Sequence, residues 1–116
     1  MKLTKLLRLS GLLAPSFITL VFSADLSAAD AEAALATARQ NNCFRCHKVD
    51  KDKEGPAWSK VAAKYKGVAN AQARLYYHLT SGEKAKFPDG HEEDHLIIKT
   101  EDNNEIKNLV DWILSL

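Results

Sequence analysis

With 116 residues and a formal net charge of +1, the chain is sized for one small domain. It carries no bulk charge that would draw it to nucleic acid or to a membrane surface. Hydrophobic residues at 46% and charged residues at 27% mark it as an ordinary globular protein.

The first segment has the layout of a secretory signal peptide. Lys2, Lys5 and Arg8 form a basic start, Leu9 to Phe22 is mostly apolar, and small residues gather through Ser23, Ala24, Ser27, Ala28 and Ala29. The apolar run is short for a transmembrane helix, although an uncleaved N-terminal anchor is the alternative. Ser27-Ala28-Ala29 fits a small-x-small cleavage site, which assigns residues 1–29 to the signal and 30–116 to the mature domain. Cleavage there takes the net charge from +1 to −1. A mature chain of about 87 residues has a marginal protein-only core, so a large rigid cofactor would help it fold.

Ala31 to Asn42 is alanine-rich and predicts a helix, with Asp30 as its N-cap and Ala33 where a capping-box Glu would sit. It leads into Cys43-Phe44-Arg45-Cys46-His47. Two cysteines two residues apart, followed at once by histidine, form the attachment signature of a c-type haem. Each thiol can add to one vinyl group of the porphyrin, and His47 then lies where its imidazole can be the proximal ligand of the iron. A zinc half-site lacks its second cysteine pair. A thioredoxin-like site needs strands that the chain does not advertise. A plain disulfide leaves His47 unexplained.

Lys48 to Glu54 is a charged loop, punctuated by Gly55-Pro56. Trp58, Val61, Ala62 and Tyr65 then recur at helical spacing, and Gly67 stops that helix. A third helix is expected from Asn70 as N-cap to Gly82, with Ala71, Leu75 and His78 or Leu79 inward. Glu83 to Thr100 shows neither period and reads as a long loop with two histidines and five acidic residues. Asp102 and Glu105 predict a capping box for the last helix, whose stripe is Ile106, Leu109, Val110 and Ile113, widened by Trp112 and Leu114.

Residues 31–116 resemble a class I cytochrome c of the small bacterial mono-haem type. The resemblance rests on four pieces in order: the haem motif, Gly55-Pro56-Ala57-Trp58, Val61 to Gly67, and Leu109 to Leu116. It implies an all-α fold of four short helices around one covalent haem, with a long loop before the C-terminal helix. Cys43 and Cys46 would then bind haem c and His47 would be the proximal ligand. The Pro56 carbonyl would accept a hydrogen bond from the other nitrogen of His47. Trp58 and Trp112 would pack near the haem or in the crossing of the first and last helices. Plain core packing is an equal reading for both.

One departure matters. The family's usual sixth ligand is a methionine before the last helix, and the only methionine here is Met1. Counting back from Trp112, the family's position falls beside His95, with Leu96, Ile97 and Ile98 following. His95 is therefore the favoured distal ligand. His91, Lys84, Lys86, His78 and an open site are the alternatives. An imidazole in place of a thioether favours the ferric state and lowers the potential. Glu92, Glu93 and Asp94 would lower it further, subject to solvent screening.

The function implied is a periplasmic carrier of single electrons between redox protein partners, without enzymatic activity. It would be a monomer or small oligomer, not inserted in the membrane after signal cleavage. Lys51, Lys53, Lys60, Lys64 and Lys66 offer a docking rim or simply a solvated face. A haem-based gas-binding or sensor protein and a cytochrome subunit of a periplasmic oxidoreductase are the competing functions.

Overall fold

The computed structural model describes residues 28–116. The expected signal segment therefore lies, apart from Ala28 and Ala29, outside the described residues. The order of elements is α1 (Ala31–Gln40), a 3-10 turn (Cys43–Arg45), α2 (Trp58–Tyr65), α3 (Ala71–Ser81), β1 (Lys84–Lys86), β2 (Glu92–Asp94) and α4 (Asn103–Leu114). No helix among the described residues is long and apolar enough to cross a membrane.

Helix α4 is the axis of the domain: α1, α2 and α3 all pack on it. Its apolar stripe buries Ile106, Leu109, Val110, Trp112 and Ile113, as its periodicity predicts. Across from it, Ala34 and Ala38 of α1 are fully buried. Their small side chains let the two helices approach closely, which sets the crossing. The crossing is also tied by polar groups. Asp30 N–H donates to Asn108 Oδ1, and Asn108 Nδ2 donates back to the Asp30 carbonyl, both at 2.8 Å.

The helix ends follow from local chemistry. The Asp30 carboxylate accepts from Ala33 N–H, capping α1. This helix stops at Gln40, short of the haem motif, because Asn42 adopts a left-handed conformation with φ of 57°. Asparagine tolerates that conformation better than most residues. Gly82 closes α3 with φ of 68°. Asn70 precedes α3 as expected, but its side chain makes no capping hydrogen bond.

The capping box expected for α4 is replaced by a relay. The Asp102 carboxylate accepts from Asn104 N–H, while Asp102 N–H donates to Thr100 Oγ1, which donates to Glu105 Oε2. Thr100 thus stands between the two halves of the box.

The segment after α3, expected as one long loop, instead forms a short β-hairpin. Lys84–Lys86 and Glu92–Asp94 pair antiparallel, with Lys84 opposite Asp94 and Lys86 opposite Glu92. Opposite charges across the strands provide the side-chain complementarity that apolar pairs usually supply. The Lys84 ammonium sits 2.6 Å from the Asp94 carboxylate. This hairpin fixes where His95 emerges, directly after β2.

Candidate haem site

The first wall of the site grows out of the end of α1. After Asn42, the 3-10 turn brings Cys46 N–H and His47 N–H onto the Cys43 carbonyl, at 3.2 and 3.0 Å. Cys43, Cys46 and His47 then line one cavity of about 610 Å³. Both cysteines are free thiols and half-buried. Burial pushes the Cys43 thiol above its ordinary range, keeping it protonated at neutral pH. Among the described residues, no group of three or more His, Cys, Asp or Glu side chains is arranged to hold a metal by itself.

The His47 ring is held on three sides. Its Nδ1 lies 2.8 Å from the Pro56 carbonyl, which can only accept, so Nδ1 carries the proton and Nε2 the free lone pair. The ring stacks on Trp58, with centroids 5.9 Å apart and planes 22° apart. Its third neighbour is the backbone of Gly55. A Cβ there would fall 2.5 Å from His47 Cε1, so only glycine fits. Trp58 in turn meets Trp112 edge-on, at 5.7 Å and 87°, and Phe44 at 5.2 Å. Trp58 thus couples the site to α4, and Trp112 belongs to the core behind it.

A device that the sequence did not reveal holds this wall. The Asp52 carboxylate accepts from Ala57 N–H at 2.9 Å and pairs with Lys60, fixing the start of α2 from across the loop. Those partners, Lys60 first, hold its carboxyl below the ordinary range. The pairing also occupies Lys60, one of the lysines of the candidate docking rim.

The second wall is built from α3 and the segment after β2. His95 N–H donates to the Glu83 carbonyl at 3.0 Å, Ile98 N–H to the Leu79 carbonyl at 2.9 Å, and Lys99 N–H to Asn41 Oδ1 at 2.8 Å. These bonds carry the chain along the cavity, which Leu96, Ile97 and Ile98 line. The His95 ring faces His47 across it, with centroids 6.1 Å apart and planes tilted by 51°. Burial first, then the neighbouring His78 and His47, push its pKa down to about 4. His95 is therefore neutral at pH 7. Its Nδ1 is buried without a hydrogen-bond partner among the described residues.

The 6.1 Å separation has a chemical meaning. It leaves room for one metal atom between the two rings, so His47 and His95 are the residues that would hold a haem iron here. The two thiols, the neutral imidazoles and the apolar Leu96 to Ile98 wall fit a covalently attached haem.

The other candidate ligands are placed elsewhere or otherwise engaged. His91 lies on the exposed side of the hairpin, stacked on Phe87 at 4.4 Å and paired with Asp89 and Glu93. It does not line the cavity. Lys84 is committed to Asp94. Lys86 reaches the cavity from the opposite strand end. His78 does line the cavity, 4.1 Å from the His95 ring, and is hydrogen-bonded to Glu83. It is half-buried on α3.

Four helices around a cavity presenting two free thiols and an adjacent imidazole define a small class I c-type cytochrome. A family profile for cytochrome c matches residues 31–116, and the chain belongs to that family. It is 36% identical over 97 residues to cytochrome c-551 of Allochromatium vinosum, covering 84% of this chain and all of that one. It is 33% identical to cytochrome c-552 of Nitrosomonas europaea, covering 84% of this chain and 92% of that one. Among solved structures, the class 1 cytochrome MtoD of Sideroxydans lithotrophicus ES-1 matches at 62% identity and a TM-score of 0.74. That match covers 76% of this chain and 97% of MtoD. The family binds haem c through a cysteine pair, here Cys43 and Cys46, and carries electrons without acting as an enzyme.

Proposed function

We propose that this cytochrome is a periplasmic, low-potential carrier of single electrons, with His47 as proximal and His95 as distal ligand. The observation that carries this reading is the pair of neutral imidazoles facing each other at 6.1 Å, in a chain whose only methionine is Met1. The haem supplies the electron-accepting Fe(III)/Fe(II) couple. The chain's own residues set where that couple lies. The Pro56 carbonyl, hydrogen-bonded to His47 Nδ1, raises the basicity of the proximal imidazole and favours the ferric state. A distal imidazole acts in the same direction relative to a thioether. Glu93 and Asp94 on the cavity wall add negative charge on that side. With no well-aligned acceptor at Nδ1 among the described residues, His95 is the weaker donor of the two, which tempers the effect.

The periplasmic assignment rests on the signal-like layout of residues 1–29 and on covalent haem attachment, which takes place outside the cytoplasm. Partners are redox proteins. The hydrogen bonds from His95, Ile98 and Lys99 tie the distal segment down, which favours electron transfer over a gas-binding role that needs His95 to leave.

Potentiometric titration of wild type and His95→Met tests this reading. The substitution should raise the midpoint potential clearly. An unchanged potential, or a wild-type potential in the range of His/Met cytochromes, would count against it.

A further inference from the structure

The two imidazoles are oriented by different means. His47 has a hydrogen bond at Nδ1, whereas the Nδ1 of His95 has none among the described residues. The Leu96 backbone approaches the His95 ring without meeting Nδ1 in full hydrogen-bond geometry, so packing has to help fix the rotation of the ring about its own axis. The ring packed against it is His78, at 4.1 Å and 42°.

His78 is itself fixed. Its Nδ1 sits 2.5 Å from Glu83 Oε1, and the same oxygen accepts from Arg74 Nη1 at 2.7 Å. Arg74 and His78 are four residues apart on α3, hence on one face, and both reach the same carboxylate. Glu83 also holds His95 from the other end, through its backbone carbonyl. One residue thus grips the backbone of His95 and, through His78, the face of its ring.

We propose that Glu83 and His78, with Arg74 as anchor, are positioning residues that set the orientation of the distal imidazole. This rests on the reading of His95 as distal ligand. The orientation of an axial imidazole decides how the iron d orbitals split, so it is read in the g values of the low-spin ferric state. The grip also resists departure of His95, so it is read in the rate at which carbon monoxide reaches the ferrous iron.

The experiment compares holoprotein of the wild type with Glu83→Gln, His78→Ala and His78→Phe, alongside His95→Ala and His91→Ala as references. His78→Ala should shift the largest g value and speed carbon monoxide binding several-fold. Glu83→Gln should act in the same direction by less, since the carbonyl bond to His95 remains. His78→Phe, which keeps a ring in place, should fall between wild type and His78→Ala. His91→Ala should match wild type. If the Glu83 and His78 variants keep wild-type g values and rates while His95→Ala loses the low-spin signal, the positioning role is overturned and the ligand assignment stands. If His95→Ala also leaves the signal unchanged, both are overturned.

Discussion

The two walls of the haem site solve one problem in opposite ways. The proximal wall is local: Cys43, Cys46, His47, Gly55, Pro56 and Trp58 all lie in one short stretch, and the ring is pinned by a hydrogen bond, a stack and a backbone contact. The distal wall is assembled from α3, the hairpin and the segment before α4, and its ring is held by packing on a neighbour that is itself tethered. A local, hydrogen-bonded wall is stiff and tolerates little change. A packed, assembled one can be varied without dismantling the domain. Substitutions should therefore cost more on the proximal side than on the distal side.

The largest effect is expected where the walls share a floor. Leu109 is fully buried in the core and lines the cavity. Leu109→Ala should cost about 2–5 kcal/mol of stability, measured by denaturant unfolding of the holoprotein. Next comes Gly55→Ala, which forces a methyl group into the His47 ring. Overpacking of this kind costs about 1–3 kcal/mol, and it should also disturb the haem spectrum because the ring cannot move without leaving Pro56. A Gly55→Ala protein with wild-type stability and spectrum would break the contrast between the walls.

A pH titration sharpens the contrast further. Because the folded-state pKa of His95 is depressed to about 4, the neutral imidazole is retained well below its ordinary value. Its contribution to stability is fully present above pH 6.5 and is lost as pH falls through about 4. In the haem-free protein, NMR titration of the His95 ring should therefore give a midpoint near 4. A midpoint near 6.5 would show that His95 is not shielded.

The smallest effect concerns His91, raised above its ordinary pKa by Asp89 and, to a lesser degree, by Glu93. Its contact with Asp89 is complete below pH 6.5 and lost as pH rises through the raised value. NMR titration should show His91 protonating above 6.5 in the wild type and closer to it in Asp89→Asn, with no change at the haem.

The same contrast explains what could be read in advance. The haem motif and the stripes of α2 and α4 each lie within a few turns of chain, where spacing speaks directly, whereas the Pro56 bond to His47 was implied by the family resemblance. The hairpin was not legible, because Lys-Ala-Lys and Glu-Glu-Asp contain no β-forming residues and three positions cannot display an alternation. Its pairing depends on charges that meet only once the turn is formed. Gly55 was legible as punctuation but not as the seat of the His47 ring. Glu83 gave no signal, since its role comes from three groups distant in sequence meeting at one residue. For His95, a chain whose only methionine is Met1 left the sixth ligand open among several residues, and the sequence could not show that His95 and His47 come to line one cavity.

The most direct test of the account is ferric-state electron paramagnetic resonance with near-infrared magnetic circular dichroism, on wild type and His95→Ala. The account predicts a low-spin bis-imidazole signature in the wild type that the substitution abolishes. A high-spin wild type, or a signature indifferent to the loss of His95, would contradict it.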